Sequence, residues 1–372
     1  MINKDVCDII IDNRKNIFID LYLFIGKRKD HMITLQQIAN EAGVSRMTVS
    51  NVINGKFDKV SQQKIELIQG IIDKYQYVPN LSARSLAKHQ SKMIAILVNT
   101  IVLDDNVFAD PYLSKLFGEI VTSVRAAGYY TIVQTVDYID EAITLLRNWN
   151  VDGAIFLTSP DKNDMEILYK QSICPIVFLD SYIRNENNFM SVKIDDYKGG
   201  YIATKFLLSN GHRRIAFASY FQKPSAVISV RYQGYLDALK EYGISQTESC
   251  IIDTLTRYDD GIRIGKDIAN HKYDITAVFA TSDHLALGII KGASLNGFVV
   301  PNDLSVVGFD DLDLCTISTP ELTTIAQNVH QKATSAVQLL LDNILHHQIA
   351  SSSLTCDVEL KIRQTVQSIK PV

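Results

Sequence analysis

Side chains that can hydrogen-bond DNA bases crowd the segment "LQQIANEAGVSRMTVSNVING", from Leu35 to Gly55. Arg46 is suited to a bidentate contact with guanine, Asn51 to a pair with adenine, and Met47 to an apolar contact with a thymine methyl group. These residues share a short run that carries less apolar surface than a packed helix needs. The run therefore predicts a surface that reads DNA.

Two helices separated by a tight turn must position this surface. Thr34 can cap a first helix that ends near Glu41, and Ser45 can cap a second. Gly43 supplies the left-handed backbone that the turn requires. The apolar faces are Leu35, Ile38 and Ala39 in the first helix and Val49, Val52 and Ile53 in the second. This spacing is typical of a helix-turn-helix unit, although a plain helical hairpin would show it too.

A third helix and a short helix-compatible segment follow. The third helix is predicted to start at Ser61, with an inner face made of Ile65, Ile68, Ile72 and Tyr75. The next segment, "YVPNLSARSLAKHQ", begins with a proline and places Ala83 and Leu86 three residues apart. It is too short to be a stable helix alone, so we expect it to order only against a partner.

From about Met32 to its C-terminus, the sequence resembles the lactose-repressor-like (LacI/GalR) family of bacterial transcription regulators. The motifs that carry the resemblance occur in the expected order. They are "TLQQIANEAGVSRMTVSNVIN", "YVPNLSARSLA", "RAAGY", "VDGAIFL", "GHRRIAF", "RYQGYLDAL", "TSDHLALG", "VPNDLSVVGFDD" and "PELTTIAQN".

The resemblance implies that the segment after the proline is a hinge helix. Two hinges of a homodimer would pair in the minor groove, and Leu86, with Ala83 beside it, would wedge into the central base step. The predicted DNA-contacting residues are Thr34, Ser45, Arg46, Met47, Thr48, Ser50, Asn51, Asn54, Tyr77, Asn80, Ala83 and Leu86.

Beyond Lys92 the pattern changes to short apolar runs that alternate with helical runs. The runs "MIAILV", "YYTIVQTV", "GAIFLTS", "PIVFLD", "RIAFASY", "AVFATS" and "LSVVGFD" are predicted strands of parallel sheets covered by helices. The resemblance implies an α/β two-lobed periplasmic-binding-protein-like sensor, with the chain crossing between its two parallel sheets near Ser191 and Ala326. A ligand is then expected in the cleft, at the carboxyl ends of the strands.

Five residues near predicted strand ends are the candidates for effector binding. Arg231 is predicted to start the helix of "RYQGYLDAL", where its guanidinium can hold a ring oxygen, hydroxyls or a phosphate. Asp283 can accept hydrogen bonds from two hydroxyls or cap the helix that follows it. The resemblance implies that Gln327 places an amide on the ligand and that Tyr112 stacks on a sugar face. Asp180 ends the strand "PIVFLD".

Charge and these patterns together predict four segments. The net charge is −4, yet residues 32–92 carry eight Lys/Arg against four acids, or +4. Residues 32–78 are predicted to form the helix-turn-helix domain, 79–91 the hinge helix and linker, and 92–372 the effector-binding and dimerisation domain. Residues 1–31 are an N-terminal extension: a tail, a stretch before the true start, or an extra helix.

Other protein classes share parts of this pattern. An enzyme is disfavoured because the sequence has no Gly-rich phosphate loop, nucleophile elbow or metal-spaced His/Cys cluster, so neither cofactor nor metal is expected. The motif "GHRR" is interpreted as an exposed basic turn. A periplasmic sugar-binding protein would share the lobes, but the basic head and the missing signal-peptide pattern disfavour it. A response to a phosphorylated metabolite or a protein partner stays open.

The sequence therefore predicts a homodimeric, sequence-specific transcription regulator, with a repressor favoured. It is expected to bind a near-palindromic operator in double-stranded DNA under the control of a small sugar-like effector. No apolar run approaches the length of a membrane span. The five scattered cysteines fit a reducing compartment, and the expected location is the cytoplasm.

Overall fold

The computed structural model describes residues 33–78, 90–99, 107–157, 160–182, 189–221, 225–245, 250–346 and 352–370. These residues form two compact units, one within residues 33–78 and the other from residue 90 onwards. The extension at 1–31 and the predicted DNA contacts Asn80, Ala83 and Leu86 lie outside the described residues, so these predictions stay predictions.

The first unit is a head of three helices. They are α1 (Leu35–Glu41), α2 (Arg46–Ile53) and α3 (Gln62–Lys74). Thr34 caps α1 in a capping box: its hydroxyl accepts the Gln37 N–H at 3.2 Å, and the Gln37 side chain accepts the Thr34 N–H at 2.8 Å. Gly43 turns the chain with φ +61°, and Ser45 caps α2. The predicted caps and turn are confirmed.

A small apolar core holds the three helices together. Its buried members are Ile38, Ala39, Ala42, Val49, Val52, Ile65, Ile68 and Ile71. The predicted inner position of Tyr75 is wrong, because α3 ends at Lys74 and Tyr75 is 40% exposed. Ile71 is the buried residue of that turn, while Ile72 and Tyr77 pack partly buried against the core.

The second unit contains two six-stranded sheets. The strands are β1 (Met93–Asn99), β2 (Tyr130–Val136), β3 (Gly153–Leu157), β4 (Ile176–Leu179), β5 (Met190–Ile194), β6 (Ile215–Ser219), β7 (Cys250–Asp253), β8 (Ala277–Ala280), β9 (Ser305–Asp310), β10 (Thr323–Gln327), β11 (Ser353–Cys356) and β12 (Val358–Lys361). The first lobe has the order β11-β5-β4-β3-β1-β2 and the second β12-β10-β9-β8-β6-β7.

Helices cover both faces of each sheet. The first lobe carries α4 (Pro111–Ala126), α5 (Ile139–Trp149), α6 (Lys162–Gln171) and α12 (Val329–His346), and the second carries α7 (Asp196–Ser209), α8 (Ala226–Glu241), α9 (Tyr258–Ala269), α10 (Asp283–Ser294) and the short α11 (Leu314–Ile317). In β1, Ile94, Ile96 and Val98 belong to one core, and Ala95 and Leu97 to the core on the opposite face. This burial of both faces explains the unbroken apolar runs.

Across the described residues, the chain crosses between the lobes three times, not twice as predicted. It crosses after Ile194, after Gln327, and at Asp357 between β11 and β12. The predicted crossing at Ser191 is slightly early, because Ser191 lies within β5. Among the described residues, no helix is both long enough and apolar enough to traverse a bilayer.

The third crossing also makes the second sheet mixed, where a parallel one was predicted. Only β12 runs antiparallel to its neighbour, with Val358 opposite Gln327. The cause is geometric: β11 runs towards the crossing, so β12 begins at the crossing edge and must run away from it. The other strand pairs of both sheets are parallel.

Candidate functional site

Helix α2 of the head has two chemically different faces. Val49 and Val52 are buried in the head core. Arg46 and Met47 are exposed at the N-terminal end, with Met47 at 69%, and Asn51 is half-buried one turn later. The buried face fixes the helix to the head, which leaves the other face available to a groove of DNA.

Some of the predicted DNA-contacting residues also hold the head together. The Ser45 hydroxyl accepts the Thr48 N–H at 3.1 Å. The Asn54 amide donates to the Ser50 carbonyl oxygen at 2.6 Å, and the Tyr77 N–H donates to a backbone oxygen of α3 at 3.0 Å. The Ser45 and Asn54 side chains, the Tyr77 backbone and the Thr34 cap therefore help to set the position of α2 within the head.

In the second unit, polar side chains meet where the strand ends of the two lobes face each other. Asp180 follows β4, Asp310 ends β9 and Gln327 ends β10. Tyr112 lies in the first turn of α4, and Arg231 in the second turn of α8. Burial raises the pKa of Tyr112 well above its ordinary value, and the negative charges of Asp180 and Asp310 raise it further. The two lobes thus bring these groups within electrostatic range of one another.

A buried lysine organises the side of the cleft that belongs to the first lobe. The Lys332 ammonium donates to the Tyr112 hydroxyl at 2.7 Å and to the two Asp180 oxygens at 2.5 and 2.6 Å. Its side chain is only 1% exposed. A buried ammonium is stable only when it is paired and hydrogen-bonded, and Asp180 supplies the opposite charge.

A buried arginine organises the side that belongs to the second lobe. Arg231 Nε donates to Asp196 Oδ1 at 2.6 Å, and Nη1 donates to the Thr281 carbonyl oxygen at 2.8 Å. The guanidinium carbon lies 3.5 Å from the centre of the Phe309 ring, so the ring covers one of its faces. Asp196 is fully buried. The guanidinium is therefore held in one position.

Glycines allow the helices to approach closely enough to hold Arg231 there. A Cβ atom on Gly200 of α7 would lie 2.0 Å from the Arg231 carbonyl oxygen. A Cβ atom on Gly234 of α8 would lie 2.2 Å from the Tyr197 carbonyl oxygen. Both distances are far below van der Waals contact, so this crossing of α7 and α8 requires glycine at both positions.

Asp310 and Gln327 form a second polar group in the cleft. The Gln327 amide nitrogen donates to Asp310 Oδ1 at 2.6 Å, while the buried Gln327 Oε1 has no hydrogen-bond partner among the described residues. A buried acceptor without a hydrogen bond lowers the free energy of unfolding, because it has lost its contacts with water. Burial, and then the charge of Asp283, raises the pKa of Asp310 well above its ordinary value. Its backbone adopts φ +127°, an uncommon conformation that is typical of ligand sites.

Asp283, a predicted effector ligand, does not join this group. Both its oxygens are used inside the second lobe: Oδ1 accepts from the Thr324 hydroxyl at 2.5 Å and Oδ2 from the Leu312 N–H at 2.9 Å. Asp283 is fully buried, and burial raises its pKa from 3.8 to about 6. The alternative helix-cap role is also wrong, because Ser282 caps α10. Asp283 therefore links β10 to the segment after β9 by hydrogen bonds.

Two further local predictions are corrected by the structure. Arg231 does not start its helix, because α8 begins at Ala226 behind the cap Ser225. In "GHRR", Arg214 is exposed as predicted, but His212 is not: it is 1% accessible and lies 2.9 Å from the Thr276 hydroxyl, and its burial lowers its pKa. The histidine therefore belongs to the core of the second lobe.

A cavity of about 690 Å³ opens beside the crossings and is lined by residues of both lobes. Among the predicted effector residues, Gln327 borders it, whereas Tyr112, Asp180, Arg231 and Asp283 do not. Because most of the predicted effector residues lie outside this cavity, we place the candidate site at the buried polar groups where the strand ends of the two lobes meet.

Comparison with known proteins now identifies the family. Residues 34–80 match the model for bacterial regulatory proteins of the lacI family, and residues 204–366 match that for a periplasmic binding protein-like domain. Catabolite control protein A of Priestia megaterium is 30% identical over 339 residues, which cover 90% of this chain and 99% of the relative. The chain belongs to the LacI family of bacterial regulatory proteins.

Further members of the LacI family agree with this assignment. The HTH-type transcriptional repressor PurR of Vibrio campbellii is 31% identical over 350 residues, covering 91% of this chain and all of the relative. The structure of a LacI family regulator from Enterococcus faecium with bound ribose is 30% identical, covers 75% of this chain and all of that one, and has a TM-score of 0.66. This LacI-family chain is a DNA-binding transcription regulator with a ligand-binding domain.

Of the five predicted effector residues, the structure brings Tyr112, Asp180, Arg231 and Gln327 together. Sequence reasoning missed Tyr182, Asp196, Phe309, Asp310 and Lys332. Asp310 ends an apolar strand in the same way as Asp180 does, and that signal was available. The sequence carried no such signal for Lys332, because a lysine in the first turns of a helix is usually exposed.

Proposed function

We propose that this LacI-family regulator is a repressor whose operator affinity is controlled by a small sugar-like effector bound between the lobes. The observation that carries the proposal is the convergence of polar groups at the facing strand ends, where Gln327 Oε1 is buried without a partner among the described residues. A sugar hydroxyl can donate to such an acceptor. The bound ribose of the Enterococcus faecium relative supports a sugar-like effector.

Each lobe supplies side chains that contact the effector. Arg231, Asp310 and Gln327 hydrogen-bond the hydroxyls from the second lobe. Asp310 and Gln327 lie at strand ends, and Asp196 and Thr281 hold the Arg231 guanidinium in place. Tyr112 and Asp180 contact the effector from the first lobe. Asp310 takes the role that the sequence assigned to Asp283.

The head reads the operator through the exposed face of α2. Arg46, Met47 and Asn51 contact base edges in the major groove. The remaining contacts of the head and hinge, to the backbone and the minor groove, come from Thr34, Ser45, Thr48, Ser50, Asn54, Tyr77, Asn80, Ala83 and Leu86.

The regulator acts as a homodimer on a near-palindromic operator. Helix α2 has only eight residues, so one head reads a single half-site, and a two-fold arrangement of heads doubles the contact. Residues 32–78 are the DNA-binding domain, 79–91 the hinge helix and linker, and 92–372 the effector-binding and dimerisation domain. In the dimer, the two Leu86 side chains wedge into the minor groove.

Effector binding acts by changing how the two lobes are arranged relative to each other. Beside the cleft the Tyr182 hydroxyl contacts Asp196 across the two lobes, and the Lys115 ammonium lies 2.9 Å from Asp313 Oδ1. An effector that favours one arrangement of the lobes shifts the population towards it, and pairing of the hinges changes with that population.

The protein works in the cytoplasm as a binding protein and not as an enzyme. Its relatives are transcription regulators and repressors. The charged groups of the cleft are tied to one another in ion pairs, which suits recognition of a ligand better than chemical attack on it.

The experiment that tests this proposal is selection of bound DNA from genomic fragments by the full-length protein. We expect a shared near-palindromic site at physiological salt, with recovery reduced at least tenfold for Arg46→Ala. Lys74→Ala is the matched control, because Lys74 also lies in the head but pairs with Glu41 on its surface. Recovery of DNA without a shared site would contradict the proposal.

A further inference from the structure

The cleft holds two buried cations, and each already has its own carboxylate. The Lys332 side chain is 1% exposed and that of Arg231 9%. Lys332 lies 2.5 Å from Asp180, and Arg231 lies 2.6 Å from Asp196. The two pairs come from opposite lobes. Within the described part of the cleft, both buried cations are therefore compensated before any effector enters.

Lys332 has no hydrogen-bond donor to spare. An ammonium has three N–H groups, and the structure gives them three acceptors: the Tyr112 hydroxyl and both oxygens of Asp180. An anionic ligand can bind Lys332 only by displacing Asp180. Displacement would leave that carboxylate without its cation in a partly buried site, which is unfavourable.

The second cation is restrained in the same manner. Arg231 uses Nε for Asp196, and the Tyr182 hydroxyl approaches the same carboxylate. Phe309 covers one face of the guanidinium. Nη1 also donates to the Thr281 carbonyl oxygen. The remaining N–H groups of Arg231 can still serve a neutral hydroxyl, but Asp196 balances the charge that a phosphate would need.

Among the described residues of the cleft, oxygen atoms of Gln327 and Asp310 are left over. Gln327 Oε1 is buried and unpaired among the described residues. Asp310 is a third carboxyl group, which has the Gln327 amide as its hydrogen-bond partner. A phosphate would face three carboxyl groups with both cations engaged, whereas the hydroxyls of a polyol can donate to Gln327 and Asp310.

Building on the proposed effector function, the geometry points to a cleft that selects an uncharged polyhydroxylated effector and excludes phosphorylated ones. Lys332 is the specificity-determining residue, and Asp180 masks its charge. This decides between the sugar and the phosphorylated metabolite that the sequence left open. It also gives Asp180 a role distinct from direct contact with the effector.

The test is calorimetric titration of the full-length protein with inorganic phosphate at constant ionic strength. We expect phosphate to bind the wild type with a dissociation constant weaker than about 10 mM. Asp180→Asn unmasks Lys332 and should gain a saturable phosphate site at least tenfold tighter. Asp180→Asn/Lys332→Met is the matched control and should lose that site again. Asp180→Ser serves as a second unmasking variant if the asparagine variant does not fold.

Two results would overturn the inference. One is saturable phosphate binding to the wild type that Lys332→Met abolishes, since the lysine would then be open to anions. The other is the absence of phosphate binding to both folded unmasking variants. No DNA takes part, so failure of effector control over the operator leaves this test unaffected. An operator response to a sugar phosphate would keep the proposed function and contradict the inference.

Discussion

Two aspartates of the second lobe show how position decides the role of a residue. Asp283 and Asp310 both end or follow an apolar strand, and the sequence favoured Asp283 as the effector ligand. The structure gives Asp283 two internal donors, Thr324 and Leu312, and leaves Asp310 beside Gln327 in the cleft. Spacing along one strand could not separate them, because the donors come from the connection after β9 and from β10.

The pH dependence of stability tests the position of Asp283. Its pKa rises from 3.8 to about 6 on folding, so its contribution to stability is complete below about pH 4 and is lost as the pH rises through 6. Asp283→Asn removes this loss and keeps an oxygen that can accept from the Leu312 N–H. Relative to wild type, the variant should gain about 3 kcal/mol of unfolding free energy between pH 4 and pH 7.

Urea unfolding of both proteins across this pH range measures the difference. A wild-type-minus-variant difference that does not change with pH would mean that Asp283 is charged in the fold, and the account of its burial would be wrong.

At the scale of elements, caps and glycine contacts decide how precisely the helices sit. The periodicity and the caps predicted α1 and α2, because their signals are local. The close crossing of α7 and α8 could not be predicted, since the partner of each glycine lies on the other helix.

Substitution in this crossing should be costly. Gly200→Ala places a Cβ atom 2.0 Å from the Arg231 carbonyl oxygen, and the helices must move apart. We expect a loss of at least about 1–3 kcal/mol in unfolding free energy, by denaturant melting, together with weaker effector binding. Gly118→Ala in α4 is the matched control: nothing lies within 4 Å of its Cβ, so about 0.5–1 kcal/mol should be gained. Equal effects of the two substitutions would refute the close crossing.

Different residues of the head determine its stability and its affinity for the operator. Ser45→Ala removes the cap of α2 and should cost about 0.5–2 kcal/mol in the unfolding free energy of the head. Met47→Ala should leave that free energy within about 0.5 kcal/mol, because Met47 is 69% exposed. It should nevertheless weaken operator binding several-fold. Thermal melting and operator titration of the two variants test this; a Met47→Ala protein with full affinity would remove Met47 from the interface.

At the level of the whole molecule, the residue pattern predicted the head, and the resemblance to the LacI family implied the two lobes and two of the three crossings. The apolar runs predicted the strands, since burial on both faces leaves a continuous hydrophobic signature. The third crossing and the antiparallel β12 were missed. Their segment, "SLTCDVELK", contains polar residues at five of its nine positions, and its pairing with β5 and β10 is fixed by contacts far away in the chain.

The predicted hinge connects the DNA-binding head to the effector-binding domain, so its role concerns the whole molecule. Leu86→Ala should lower operator affinity at least tenfold, because the wedge that holds the duplex kinked is lost. Melting of the effector-binding domain should be unchanged. Operator titration together with calorimetric melting measures both quantities, and Leu86→Ile is the control that keeps an apolar wedge. An alanine variant with wild-type affinity would remove the wedge from the mechanism.

If the cleft controls operator affinity, a substitution in the cleft must abolish the response of the operator complex to effector. The operator affinity of wild type, Arg231→Ala and Arg214→Ala would be titrated across a library of sugars and polyols. Arg214 lies in the same lobe but pairs with Asp274 at the surface. We predict that at least one compound changes the affinity of wild type and Arg214→Ala at least tenfold and leaves folded Arg231→Ala unchanged. A wild-type response in Arg231→Ala would contradict the account.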